Sequence, residues 1–351
     1  MNKKIVIVSH SAGGGGAERV STLVANYFVE KNYDVHFYAI HSDKREYPLS
    51  DNIHYVYDKV IGKNKRLKQI KRSWNLRKYI YDNQIDVMIS FVYLEGLFLV
   101  GSHKVKKIYS LRNDPTSFYN HGINKWLRSL LYRDADYVVF QTPDARNYFD
   151  EKTREHGVLI ANPLKDDLPY WKPQAHKKEI VVACRINAQK NLSMLLDAFH
   201  IVCQTRSDYK LMIYGEGELR ESLQKYAQQL GLSDNVIFHG FSNNIHEIMS
   251  NSSIYVSSSD YEGISNSMLE ALAIGIPTVC TDCPVGGARM FIQSGENGFL
   301  VPVGDSMAMA EKLLVLMSDE ALQKQFSRES QKIRDILIKE KIYGEWEKLL
   351  H

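Results

Sequence analysis

Short apolar runs alternate along this chain with longer stretches whose apolar positions recur at helical spacing. That alternation is the signature of βαβ units, in which helices cover both faces of a parallel sheet. In the first half the runs predict strands at 5–9, 35–40, 53–56, 87–91, 107–110, 137–140 and 158–160, with helices over 17–30, 65–82 and 121–133. Asn162-Pro163, Asp166-Asp167-Leu168-Pro169 and Lys172-Pro173 then break the rhythm, and they predict a linker at about 163–178. The pattern restarts with strands at 179–184, 211–214, 236–238, 254–256, 277–280 and 299–301, and turns helical from about Ser306. The fold class is therefore α/β, with two Rossmann-like halves and no short-period repeat. In open sheets of this kind ligands bind beyond the carboxyl ends of the strands, so two halves imply a cleft between them.

Length agrees with that division, since 351 residues suit two domains of roughly 150–200 residues each. Four cysteines (Cys184, Cys203, Cys280 and Cys283) make no disulfide framework, and a reducing cytoplasm is the simpler setting. Cys280-Thr281-Asp282-Cys283 spells C-x-x-C but has no second pair or nearby histidines, so both thiols read as structural. The apolar stretch at residues 5–8 is too short for a signal-peptide core, and 87–100 is interrupted by Glu95 and too short to span a bilayer. A soluble, cytoplasmic protein is expected. Its net charge of +3 is unevenly shared: residues 1–172 hold 27 Lys and Arg against 19 Asp and Glu, residues 173–351 hold 17 against 22. Such asymmetry suggests that the first half meets an anionic surface.

The stretch from Asp260 to Gly275 carries most of the chemistry. A strand end rich in serine (Ser257, Ser258, Ser259) leads through a turn into a helix starting near Asn266 or Ser267. Glu262 lies in the turn and Glu270 one turn into the helix, while the free N–H groups at the helix start, reached through Gly263, Ile264, Ser265, Asn266 and Ser267, form a cradle for phosphate. Hydroxyl-binding carboxylates flanking a diphosphate cradle suit a nucleotide sugar. The bland alternative is a pair of helix-entry glutamates favoured by the helix dipole. After the strand at 179–184 comes Arg185-Ile186-Asn187-Ala188-Gln189-Lys190-Asn191, whose two cations on one loop can neutralise a diphosphate leaving group without a metal.

Glu262-x7-Glu270 within YEGISNSMLEALAIGIPTV resembles the donor-site motif of retaining, metal-independent GT-B glycosyltransferases of family GT4, and the likeness runs from the glycines at 13–16 to Trp346. The resemblance implies a first domain at 1–165 that binds the acceptor, a second at 166–335 that binds the nucleotide sugar, and a helix at 336–351 that crosses back to the first. Ser11-Ala12-Gly13-Gly14-Gly15-Gly16-Ala17-Glu18 resembles the family's GGAE loop, implying that Gly15 or Gly16 amides meet the donor diphosphate; the missing Lys-Ser/Thr argues against a Walker P-loop. Arg185 and Lys190 match its R-x4-KN pattern and inherit phosphate binding. Backbone contacts to the nucleotide base are expected near Gly240 and Phe241. Pro284-Val285-Gly286-Gly287-Ala288-Arg289 is a further loop at the same rim or a plain strand–helix connection. Family members often carry a histidine after the fifth strand of the first domain; this chain has Arg112-Asn113-Asp114-Pro115, where Asn113 and Asp114 either take that role or simply cap a turn. Asp134-Ala135-Asp136 spells the metal-binding D-x-D of the other large transferase fold, but it precedes a strand, away from the cleft, and no catalytic metal is expected.

The run 63–78 holds eight cations in sixteen residues, with Leu67, Ile70 and Trp74 at helical spacing. Such a cationic amphipathic helix can rest on an anionic membrane. Alternatively Leu67 and Trp74 pack on their own domain; no stacking-aromatic array supports nucleic acid. The expectation is a retaining transferase moving a hexose or N-acetylhexosamine from a UDP-sugar to a glycan acceptor, such as a polyprenyl-diphosphate-linked one, at the inner face of the cell membrane. It needs no cofactor and no divalent metal. Rival readings are another GT-B activity, an epimerase or phosphorylase, or a non-catalytic membrane-surface scaffold.

Overall fold

A computed structural model of the chain describes residues 3–117, 120–173 and 177–351. Residues 174–176, inside the expected linker, lie outside them. The chain divides into two compact units, Met1–Pro163 with Lys339–His351, and Leu164–Ile338.

The first unit is built on seven parallel strands, β1 (Lys4–Ser9), β2 (Asp34–Ala39), β3 (His54–Tyr57), β4 (Val87–Ser90), β5 (Lys106–Ser110), β6 (Tyr137–Phe140) and β7 (Gly157–Leu159), in the order β3-β2-β1-β4-β5-β6-β7. Parallel sheets are covered on both faces, which is why Ile5, Val6, Ile7 and Val8 are all fully buried and the sequence shows an unbroken apolar run. The helix Gly16–Glu30 packs Val20, Val24, Ala25 and Phe28 inward. The helix Lys339–Lys348 completes this core: Trp346 is fully buried and stacks on Phe91 at 5.7 Å, Tyr343 stacks on Tyr27 at 4.9 Å, and the Tyr27 hydroxyl donates to Glu347 Oε2 at 2.8 Å.

The helix Lys65–Asp82 buries Ser73, Leu76 and Ile80, so the stripe of Leu67, Ile70 and Trp74 faces outward with exposures of 64%, 50% and 57%. Trp74 meets Phe98 of its own domain edge-on at 5.9 Å, while Leu67 and Ile70 stand largely open. Among the described residues no helix is long and apolar enough to cross a membrane.

The second unit repeats the plan with β8 (Lys177–Ala183), β9 (Lys210–Tyr214), β10 (Val236–Gly240), β11 (Ser252–Ser257), β12 (Thr278–Thr281) and β13 (Phe299–Val301), ordered β10-β9-β8-β11-β12-β13. Ile180, Val182, Leu211, Ile213, Ile254 and Val256 share a core with Leu195, Phe199, Leu313 and Leu316 of the helices Leu192–Cys203 and Ser306–Ser318. In each sheet the strand order reverses between the first and fourth strands, and the crevice at such a point is where α/β folds place ligands. In the second unit those strands are β8 and β11.

Candidate nucleotide-sugar site

The two loops at that reversal are tied together by the chain's own polar groups. After β8, Asn191 adopts a left-handed backbone (φ 40°), caps the helix Leu192–Cys203 by accepting from Met194 N, and donates from Nδ2 to Asp260 Oδ1 at 2.6 Å. Asparagine tolerates that conformation because its short amide can satisfy the local backbone. Gln189 donates to the Tyr261 carbonyl at 2.8 Å, Asp260 N to the Gln189 carbonyl at 2.9 Å, and Ser258 Oγ to the Lys190 carbonyl at 2.8 Å. This stitching fixes the cationic loop against the loop that follows β11.

Its result is a direct ion pair between Lys190 Nζ and Glu262 Oε1, with side-chain exposures of only 13% and 17%. Ser259 Oγ also donates to Glu262 Oε1 at 3.1 Å. Burial pulls the Lys190 ammonium pKa down, but the Glu262 charge outweighs it and holds the value above the ordinary one. Arg185, on the same loop, is exposed; its carbonyl accepts from Asn187 N at 3.1 Å, and its guanidinium has no hydrogen bond or ion pair among the described residues. The cations that sequence spacing assigned to phosphate thus differ: one is partnered, the other open.

Ser265 caps the helix Asn266–Ile274 by accepting from Met268 N, and its hydroxyl meets that of Ser267 at 3.1 Å. Gly263 and Ile264 complete the turn. Glu270 is 6% exposed, and its Oε2 lies 2.9 Å from His246 Nε2, a partner on the helix Ile245–Asn251 that no sequence motif marks. The loop after β12 closes against this turn: a Cβ on Gly287 would stand 1.7 Å from the Gly263 carbonyl oxygen, so only glycine permits that approach. Val285 beside it has φ 64°, rare for a β-branched residue and a sign that the surroundings hold this loop in place. Cys280 and Cys283 are buried free thiols, both pushed up by burial, and Cys283 Sγ meets the Ser259 carbonyl at 3.0 Å, a structural use.

Along the rim, the Gly240 carbonyl accepts from Gly215 N at 2.8 Å, Tyr214 and His239 stack at 4.6 Å, and Phe241 projects with 78% exposure. Lys190, Glu262, Glu270, the 263–267 turn, Arg185, Gly240 and Phe241 therefore all stand at the carboxyl edge of one sheet.

Gly15, Gly16, Asn113 and Asp114 belong to the first unit. Gly15 is the N-cap of the helix Gly16–Glu30, and Gly13 is pressed against the backbone of Glu46. His10, next to this loop, packs against His41 with the rings tilted and 4.7 Å apart. Burial lowers both imidazoles, with Arg72 adding to the effect and Glu18 opposing it at His10; His41 falls to about 4. Asp114 is buried and accepts from Thr116 N and Oγ1 and from Ser117 Oγ, while Asn113 Oδ1 accepts from Asp114 N at 2.9 Å, so both side chains hold the turn. Of that triplet Arg112 has spare capacity. Its Nη1 donates to Asn162 Oδ1 at 2.9 Å, Nε and Nη2 are buried with no hydrogen-bond partner, and burial pushes it down to about 9. Asp134 and Asp136 are occupied by the Lys107 side chain and backbone N–H, at 2.7 Å each, at the amino end of β5.

Residues 169–333 match the family model described as Glycosyl transferases group 1, and residues 14–167 that described as Glycosyltransferase Family 4. An uncharacterized glycosyltransferase of Haemophilus influenzae is 27% identical over 368 residues, with all of both chains covered. The N-acetylgalactosamine-N,N'-diacetylbacillosaminyl-diphospho-undecaprenol 4-alpha-N-acetylgalactosaminyltransferase of Campylobacter jejuni is 27% identical, covering 93% of this chain and 94% of its own. Among solved structures, S. aureus TarM in complex with UDP aligns with a TM-score of 0.82 at 16% identity, over 99% of this chain and 100% of that one. Anabaena HepE in complex with UDP and glucose aligns at 0.79 and 18%, over 99% of each. With both sheets ordered alike, these motifs at their carboxyl edges and family models over both halves, the chain is a glycosyltransferase of GT-B fold that joins a family 4 domain to a group 1 domain.

Proposed function

We propose that this glycosyltransferase moves a hexose or N-acetylhexosamine from UDP to a lipid-linked glycan, with retention of configuration and without a divalent metal. The observation that carries the reading is the Lys190–Glu262 pair at the strand-order reversal of the second sheet. Without donor, the two charges neutralise each other. A diphosphate presents Lys190 with a stronger anion and releases Glu262 to accept from a sugar hydroxyl. Arg185 and the amides at the start of the helix Asn266–Ile274 take the remaining phosphate charge, and Glu270, steadied by His246, accepts from the ribose hydroxyls. The C1–O bond to the phosphate breaks as the acceptor oxygen bonds C1 on the same face, and the departing phosphate oxygen takes the acceptor's proton. The UDP of the TarM and HepE complexes and the undecaprenol-linked acceptor named for the Campylobacter relative support the choice of substrates.

The exposed Leu67, Ile70 and Trp74, set among Lys63, Lys65, Arg66 and Lys71, favour docking on the anionic inner face of the membrane, a peripheral association. Sedimentation with anionic but not neutral vesicles, abolished by Leu67→Glu with Trp74→Glu, is the expected result. The reaction itself is tested with a panel of UDP- and GDP-sugars, scoring nucleotide release that depends on a polyprenyl-diphosphate-linked glycan. Release with a UDP-sugar, unchanged by EDTA, is expected. Release or epimerisation without acceptor, or a rate lost on chelation and restored by magnesium, would overturn the reading.

A further inference from the structure

The amino end of the first sheet carries a cluster that transfer does not use. Asp34 opens β2, His36 stands two residues on, and His54 opens β3 directly opposite His36 in register. Alternation puts Asp34 and His36 on one face of the sheet, and the pairing puts His54 beside them. Asp34 Oδ1 lies 3.5 Å from His36 Nε2 and 3.3 Å from His54 Nε2, and all three donor atoms fall within 4.8 Å of one another. Zinc bound by nitrogen and carboxylate oxygen at about 2.0–2.1 Å in a tetrahedron separates its ligand atoms by about 3.3 Å. The two measured edges are of that length.

Two further observations point to a ligand. His36 is 6% exposed, and its Nε2, the atom turned toward Asp34, is sealed from solvent without a hydrogen bond. Its other nitrogen, Nδ1, lies 2.7 Å from the Tyr79 hydroxyl. With the proton on Nδ1 donated to Tyr79, the Nε2 lone pair is left aimed into the cluster, the arrangement that outer-shell partners impose on metal-binding histidines. Lys4 Nζ, 4.0 Å from Asp34 Oδ2, balances the outer oxygen and leaves Oδ1 for an ion.

We propose that Asp34, His36 and His54 bind one zinc ion, with water in the fourth position, as a clamp on β3. That strand lies at the edge of the sheet and pairs with β2 alone. Cross-linking it through a metal ties down an element that has hydrogen bonds on one side only. The site lies at the opposite end of the strands from the loops that carry Gly15 and Asn113, so the ion is structural and stands apart from the donor chemistry.

The full chain is stripped with a chelator and titrated with zinc chloride against a chromophoric competitor. One tight equivalent is expected. The unfolding midpoint should rise by roughly 5–10 °C at a free zinc concentration 100 times the dissociation constant, and cobalt substitution should give the visible bands of a tetrahedral site. His54→Ala, at an exposed position, and Asp34→Asn should keep the metal-free midpoint while losing both the equivalent and the shift. No tight equivalent in the unaltered protein, or an equivalent retained in His54→Ala, would overturn the proposal.

Discussion

Replacing Glu262 by Gln keeps the side chain's shape and strands Lys190 as a largely buried, unneutralised cation. Breaking a fully buried pair by removing one partner costs about 3–5 kcal/mol, whereas exposed pairs contribute about 1 kcal/mol or less. With 13% and 17% of the two side chains exposed, this pair lies near the buried limit. A local destabilisation of about 2–3 kcal/mol is expected for Glu262→Gln and for Lys190→Met. Their combination removes both charges, so the double variant should recover about 1.5–2 kcal/mol relative to the sum of the singles. Because two units unfold in one chain, native-state hydrogen exchange on peptides 177–191 and 252–274 is the suitable assay. A pH series adds a sign test. The Lys190 value is raised above its ordinary 10.5, so its contribution is fully present below the unfolded value and disappears as pH rises through the folded one. The gap between the unaltered protein and Lys190→Met should stay level from neutrality to about pH 9 and close above about pH 10.5. Unchanged exchange in Glu262→Gln, or additive singles within about 0.5 kcal/mol, would refute the reasoning. In transfer assays Lys190→Met should lower kcat by roughly 10²–10³ through lost stabilisation of the leaving group.

Gly287→Ala drives a methyl into the Gly263 carbonyl and should raise the donor KM at least tenfold while lowering the melting midpoint; Gly344→Ala, a helical position with open space around its Cβ, should instead stabilise by about 0.5–1 kcal/mol. His246→Ala leaves Glu270 without its 2.9 Å partner and should weaken UDP binding in calorimetry, with His246→Gln restoring part of it; equal affinities in all three proteins would remove His246 from the site.

Most of the strand positions were legible because parallel sheets, covered on both sides, write themselves as unbroken apolar runs such as 5–8 and 254–256. Short pieces left no such trace: the turn Leu94–Leu99 and the helices Pro143–Asn147 and Glu151–Glu155 are too brief for a period to develop. On Lys65–Asp82 the spacing found an apolar stripe but could not orient it, since Leu76 and Ile80 supply a second one that the core takes. At the candidate site, strand-end loops gave Lys190, Glu262 and Glu270 their places. The pairing of Lys190 with Glu262, 72 residues away, and of Glu270 with His246, depends on which strands lie side by side, and no local spacing encodes that. Arg112 was masked for a different reason: its unused donors follow from the carbonyl and amide it meets on Ile160 and Asn162, neither of which is adjacent in the chain.

The seating of Trp346 against Phe91 has a bearing on biosynthesis. Translation proceeds at about 5–20 residues per second, so the segment Leu164–Ile338 occupies a ribosome for on the order of ten to thirty seconds after the first seven strands have emerged. Throughout that interval the patch that Trp346 later seals is open to water and to other nascent chains. The amino-terminal lobe is begun first and finished last, and its exposure to chaperones is written into the order of the gene.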